Sequence, residues 1–103
     1  MDLKKLIEVG RVELVYTVTG VGEMHFTLPP SSEIKTGEDP YVLMAKHITR
    51  IGDDDYTSEA KKAELVEALK QMGPSIVAKI SKICEEALEE QSKAAEGLFR
   101  KNS

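Results

Sequence analysis

Two histidines, one cysteine and three consecutive aspartates are the residues whose types could support metal or nucleophile chemistry. His25 and His47 have no cysteine or second histidine at helical spacing, and Cys84 lacks the companion ligands of a zinc site. The aspartates at 53–55 lack the alternating acids, central glycine and distal glutamate of an EF-hand, so turn and cap preferences explain them better. We expect exposed histidines, no metal site and no cofactor.

Nucleophile and phosphate-binding motifs are also missing. The serines occur in neither a Gly-x-Ser-x-Gly nor a partnered Ser-x-x-Lys setting. Gly20-Val21-Gly22 joins two predicted strands, so no helix N-terminus follows it to bind a phosphate. Cys84 lies on an apolar stripe, which is typical of a buried small hydrophobic residue. The sequence predicts a protein that is not an enzyme.

Composition limits the partners. At 103 residues the chain forms one domain, 1–103. Its net charge is -4 and its few basic pairs lie among acidic residues, which disfavours nucleic-acid binding. No apolar run is long enough to span a membrane and no signal segment is recognised. With a single cysteine, we expect a soluble, cytoplasmic protein without membrane or nucleic-acid partners.

The elements that would position a site begin with a predicted β-hairpin in residues 1–30. Residues 2–9 could form one or two helical turns or lead extended into the first strand. Two alternating runs follow, and a turn containing Gly20 and Gly22 joins them. Their apolar positions are Val12, Leu14, Tyr16 and Val18, then Met24, Phe26 and Leu28. Pro29-Pro30 ends the hairpin and leads into a loop, residues 31–39, that we expect to be a flexible hinge.

Three helices are predicted in residues 40–96. Asp39-Pro40 opens the first, to about residue 50, and Thr57 or Ser58 opens the second. Gly73 is expected to cap the second helix, and Pro74 to begin a long third helix that ends near Ala95. The fold class is therefore α+β, with an N-terminal β-hairpin packed on a three-helix C-terminal bundle whose last helix is the longest.

The end of the long helix and the tail, residues 97–103, hold the candidate partner-binding residues. The apolar stripe thins beyond Leu88, where Gln91 takes a stripe position. After Gly97, Leu98 and Phe99 either fold back as a hydrophobic cap contact or form an exposed anchor for another protein. Leu88, Gln91, Leu98 and Phe99 are thus the residues that we expect to meet a partner, together with the edge of the hairpin.

The order of elements resembles the small tail assembly and baseplate-hub assembly proteins of tailed bacteriophages, over about residues 5–90. The resemblance rests on LIEVGRVELVY at 6–16, on the hairpin ending in LPP, and on the block 45–56 followed by EALKQMGPSIVAKI. It implies a chaperone or adaptor in the host cytoplasm that engages a tape-measure or other helical tail protein. The family has no catalytic residues to carry over.

Two alternatives remain for a chain that binds proteins. An anti-defence protein could inhibit a host enzyme through the acidic residues at 53–55 and the glutamates at 85, 86, 89 and 90. A structural ring component could instead form a homo-oligomer in the particle by adding hairpin edges to neighbouring sheets.

Overall fold

The computed structural model describes residues 3–102, which form a four-stranded antiparallel sheet and four α-helices. The elements are α1 (Leu3–Val9), β1 (Glu13–Val18), β2 (Gly22–Thr27), α2 (Pro40–His47), β3 (Ile48–Ile51), β4 (Asp54–Asp55), α3 (Glu59–Gln71) and α4 (Pro74–Leu98). The strand order is β1-β2-β3-β4. The predicted α+β class, with a long last helix, is confirmed.

The N-terminal hairpin forms as its alternation predicts. β1 and β2 pair antiparallel, with Leu14 opposite Phe26 and Tyr16 opposite Met24. The turn closes through a 3.0 Å hydrogen bond from the Val21 amide to the Val18 carbonyl. Gly22 has φ +113°, and a Cβ there would lie 3.2 Å from the Gly52 Cα. A glycine is therefore required both for the turn and for the close approach of the next loop.

The sheet is larger than the hairpin that the sequence predicts. The helix expected to reach about residue 50 ends at His47, and the next four residues form β3 against β2. The aspartate stretch, expected to be only a turn, contributes β4. Ile48 continued the helical spacing of α2, but β-branched residues beside an open strand edge gain more from cross-strand pairing.

Side-chain capping explains where two of the four α-helices, α2 and α3, begin. The Asp39 carboxylate accepts a 2.8 Å hydrogen bond from the Tyr41 amide, and Ser58 Oγ accepts a 3.2 Å bond from the Lys61 amide. Gly73 is the N-cap of α4 rather than the C-cap of α3, and its φ of -62° is not left-handed. Gly97 lies inside α4, so the expected end of the helix near Ala95 is wrong.

The core lies between the sheet and the helices. Its largest fully buried side chains are Phe26, Ile48 and Leu69, which come from β2, β3 and α3. α4 contributes Ile80, Ile83 and Ala87. The Tyr16 hydroxyl also donates a hydrogen bond to the Glu86 carboxylate, which ties β1 to the middle of α4 and raises the pKa of Tyr16.

Two lysines hold the segments around α2. Lys62 donates to the Ala45 carbonyl at 2.6 Å and to the Ile48 carbonyl, which satisfies acceptors left at the end of α2. Burial lowers the pKa of Lys62. Lys46 donates to the Glu38 carboxylate and, at 2.6 Å, to the Glu33 carbonyl, so the 31–39 segment is attached to α2.

Replacing Ile80 by aspartate should unfold the domain. Ile80 is 5% exposed in the core, and an unpaired buried charge costs about 3–5 kcal/mol, a large part of the ~5–15 kcal/mol that keeps a domain folded. Ile76→Asp is the matched control, since Ile76 lies one turn earlier on α4 and is 56% exposed. Circular dichroism melts should show a cooperative transition for the control only. A cooperative, wild-type-like melt of Ile80→Asp would mean that this face of α4 is not core.

Candidate functional site

α4 extends beyond the hydrophobic core on which its first half packs. The buried residues of α4 are Ile80, Ile83 and Ala87, and none of its described residues beyond Ala87 is buried. The helix nevertheless continues to Leu98. A helix usually gains most of its stability by burying an apolar face. Among the described residues this extension has only light packing, with α1 and Gly10 beside it.

One face of α4 has the spacing of a helix-packing surface. We call it the α4 seam, and its residues alternate at three and four positions: Ser81, Cys84, Leu88, Gln91, Ala95 and Leu98. Each of these residues lines a cavity at the protein surface. Alternating three- and four-residue spacing places side chains on one stripe, the pattern by which helices pack side by side.

The first half of the seam forms one wall of an apolar groove of about 340 Å³, which we call the linker groove. Its other wall comes from α2 and the segment before it. The lining residues are Leu28, Ile34, Pro40, Leu43, Met44, His47, Ser81, Cys84, Glu85 and Leu88. Apart from the edge groups of Glu85, Ser81 and His47, the lining is hydrophobic, as is usual for sites that bind apolar groups.

The second half of the seam forms a groove of about 300 Å³ with α1, which we call the terminal groove. Its lining residues are Leu6, Val9, Gly10, Leu88, Gln91, Ser92, Ala95, Leu98 and Phe99. Leu88 belongs to both grooves. A further cavity of about 650 Å³ shares Leu6, Gly10 and Gln91 with the terminal groove and Leu28 with the linker groove. The three cavities therefore lie next to one another, and we refer to them together as the depression.

α1 is held weakly against α4. It has seven residues and none of them is buried, and Leu3, Leu6 and Ile7 are all exposed. The Gln91 side-chain amide donates a 3.0 Å hydrogen bond to the Gly10 carbonyl just after the helix. Helices of this length are unstable by themselves in water, so an apolar partner on this side would stabilise α1 as well as α4.

The four predicted partner-binding residues come together in the terminal groove. Leu88 is 56% exposed, Phe99 is 73% exposed and follows the last residue of α4, and Leu98 is also exposed. Of the two interpretations of the tail, the folded-back cap is not observed. Gln91 is partly committed to Gly10, so it fixes α1 as well as lining the groove.

Sequence reasoning missed the walls that face the seam. Leu6 and Val9 of α1 line the terminal groove, and Ile34 and Leu43 line the linker groove. The spacing of Leu3, Leu6 and Ile7 was a signal for an amphipathic α1. Nothing in the sequence pattern indicates which helix face α1 would lie beside, because α1 and α4 are far apart in the sequence.

Of the residues that could do chemistry, His47 and Cys84 lie together in the linker groove. His47 was predicted to be exposed, but it is buried and its Nδ1 lies 2.8 Å from the Leu43 carbonyl oxygen. It lines the linker groove with Ser81 and Cys84. Burial raises the pKa of the Cys84 thiol to about 11, so the thiol is protonated at neutral pH. This groove therefore presents an apolar thiol surface rather than a thiolate nucleophile.

His25 and the aspartate stretch have local partners. His25 is partly buried, and its Nδ1 and Nε2 lie 3.2 Å and 3.8 Å from carboxylate oxygens of Glu13 and Glu23. The Asp55 carboxylate accepts from both the amide and the hydroxyl of Thr57, which lowers the pKa of Asp55. Among residues 3–102, no group of three or more histidine, cysteine or acidic residues is arranged to hold a metal ion.

Charge is distributed unevenly along the seam. Glu85 lies at the edge of the linker groove, and Glu89 and Glu90 are exposed on the same helix. Arg100 and Lys101 are exposed just beyond the terminal groove. Acidic residues therefore flank the middle of the seam, Lys93 and Glu96 follow on the same helix, and two basic residues lie beyond its C-terminal end.

Comparisons of the chain with protein-family models, with curated proteins and with solved structures gave no match. In the part of the chain that the structure describes, none of the helices is both long and apolar enough to cross a bilayer.

Cys84 should react slowly with thiol reagents in the folded protein. A rise in pKa from 9 to about 11 lowers the thiolate fraction at pH 8 by about 100-fold. We expect iodoacetamide labelling at pH 8 to be at least about tenfold slower in buffer than in denaturant. Equal labelling rates in buffer and in denaturant would show that the thiol of the folded protein is accessible and ionises normally, which would contradict its burial in the linker groove.

Proposed function

We propose that this chain is a non-enzymatic protein-binding module that holds an amphipathic helix of a partner protein along the α4 seam. The observation that carries the proposal is the continuation of the seam beyond Ala87, the last buried residue of α4, to Leu98. Along this length α4 has a helix-packing pattern, and the helix beside it in the described residues is the seven-residue α1, none of whose residues is buried.

The shape of the depression fits a helix. From Ser81 to Leu98 the seam is about 26 Å long at 1.5 Å per residue, which matches a partner helix of four to five turns. α1 supports one side of this depression and the segment before α2 supports another. A helix that lies in a groove between such walls presents apolar side chains at i, i+3, i+4 and i+7.

The energetic gain would be concentrated in a few side chains. Full burial of a Leu or Phe side chain stabilises a complex by roughly 1.5–3 kcal/mol. Leu88 and Phe99 are the most exposed large side chains of the second half of α4 and the tail, and Leu6 of α1 lines the terminal groove with them. Binding energy in protein interfaces is usually carried by a small central cluster of this kind.

Charge favours one orientation of the partner helix. Basic residues are expected on its flank beside Glu85 and Glu89, and acidic residues at its end beside Arg100 and Lys101. Such complementary charges act mainly on specificity and on the rate of association.

The biological role that we propose is assembly chaperone or adaptor for a phage tail or baseplate, in the cytoplasm of the infected host. The resemblance in element order to small tail assembly proteins supports this role, as does a groove suited to the apolar face of a helix. Tape-measure and related tail proteins are long and helical, so a reversible cover for one such face would keep the client from aggregating before assembly.

Replacing Leu98 and Phe99 together by alanine should weaken the complex and preserve the fold. Both side chains are exposed, so the melting temperature should change little, whereas loss of two interface anchors should reduce affinity by at least about tenfold. Ile76→Ala is the control, because Ile76 is exposed on α4 but lies outside the seam. Calorimetric titration with the partner would measure the affinity of each variant, and a thermal melt would measure its melting temperature. A loss of the fold would instead make the tail part of the core.

The partner itself can be found by photo-crosslinking in the native source. A photoreactive residue at Leu88 is compared with one at Ile76, since both side chains are 56% exposed on the same helix. We expect a crosslink to a helical tail protein from Leu88 only. A host enzyme captured from Leu88 would favour the inhibitor alternative, and equal crosslinking from both positions would contradict the seam as the binding surface.

A further inference from the structure

The two edges of the sheet are built differently. β4 is two residues long and both are exposed aspartates, a short charged edge of the kind that discourages pairing with another strand. β1 is six residues long and contains no proline, lysine or arginine. Its pairing with β2 runs without a bulge from Glu13 opposite Thr27 to Val18 opposite Gly22. The protective features of edge strands are thus confined to one side of the sheet.

The pairing pattern shows which backbone groups of β1 are free to pair. The Glu23 carbonyl accepts a 2.7 Å hydrogen bond from the Gly52 amide, so Glu23 faces β3 and the next residue, Met24, faces β1. Met24 is opposite Tyr16, so the backbone groups of Tyr16 face β2. By alternation, those of Glu13, Val15 and Thr17 point away from the sheet.

We infer that β1 pairs antiparallel with β1 of a second copy of this chain, about a two-fold axis at Val15. In this register Val15 faces Val15 of the second copy, and Glu13 faces Thr17. Each of these facing pairs can exchange two backbone hydrogen bonds. If the strands slide by two residues in either direction, one outward-facing position of each strand lies past the end of the other strand. The register centred on Val15 therefore forms the most backbone hydrogen bonds.

The side chains in this register are self-complementary. Val15 is 44% exposed on the solvent face of the sheet and gains an apolar neighbour. The Glu13 carboxylate, already 3.2 Å from His25 Nδ1, lies across from a threonine hydroxyl rather than from a second carboxylate. No like charges face each other along the strand, which would otherwise oppose pairing. These features favour a second copy over an unrelated strand.

The interface is small, so the dimer is reversible. Six residues span about 20 Å, and a strand pair of that length buries less than the roughly 1,200 Å² of a standard stable interface. We expect a monomer at about 1 μM and substantial dimer at several hundred micromolar. The pairing uses no residue of the α4 seam, so it holds or fails independently of the proposed function.

Amide hydrogen exchange followed by NMR on the purified full chain tests the register directly. The amides of Leu14, Tyr16 and Val18 should be protected at every concentration, because they bond to β2. The amides of Glu13, Val15 and Thr17 should become protected only at high concentration, in parallel with a doubled mass by sedimentation. A chain that stays monomeric at several hundred micromolar, or a dimer in which these three amides remain unprotected, would overturn the inference.

Two matched charge variants test the two-fold axis. Val15→Lys places two lysines opposite each other and should abolish the dimer. Thr17→Lys adds the same charge on the same face of β1, but it faces Glu13 of the second copy and should preserve or strengthen the dimer. Equal dissociation by both variants, or a dimer that Val15→Lys leaves unchanged, would exclude pairing in this register. Melts of both variants would verify that each remains folded.

Discussion

The mismatch in length between α4 and the core on which it packs determines most of the surface of this protein. The sheet and α2 contact α4, whose buried residues are Ile80, Ile83 and Ala87, but α4 continues to Leu98. Apolar side chains on the remaining turns are largely exposed, and the helix that lies beside them is α1, none of whose residues is buried. The grooves at this end of the molecule, and the exposure of Leu88 and Phe99, follow from that arrangement.

The first half of α4 can support this extension because it is well anchored. Phe26 of β2, Ile48 of β3 and Leu69 of α3 form a fully buried centre, and Ile80 and Ile83 of α4 belong to the same core cluster. The hydrogen bond from Tyr16 to Glu86 adds a polar link between β1 and α4 just before the last buried residue. Binding at the distal half would therefore extend a helix whose first half is already held in place, which reduces the ordering cost of complex formation.

Local signals in the sequence predicted most elements, and tertiary contacts account for what it could not predict. Alternation located the hairpin, and Asp39-Pro40 and Ser58 located two helix starts. β3 was missed because Ile48 extends the helical spacing of α2, and only the neighbouring edge of β2 makes the strand preferable. The burial of His47 and the position of α1 beside α4 depend likewise on contacts between distant segments. Leu88 and Gln91 were proposed from a thinning stripe, and Leu98 and Phe99 from their place after Gly97, but the walls that complete the groove were not foreseen.

The most direct test of helix docking on the α4 seam is hydrogen–deuterium exchange of α4 in the free chain and in complex with the partner. In the free chain, amides before Ala87 should exchange slowly and those from Leu88 to Leu98 much faster. Binding should protect the 88–98 segment together with α1, and leave β4 unchanged. Protection that appears instead at the acidic β4 edge, or none at 88–98, would contradict the seam as the docking surface.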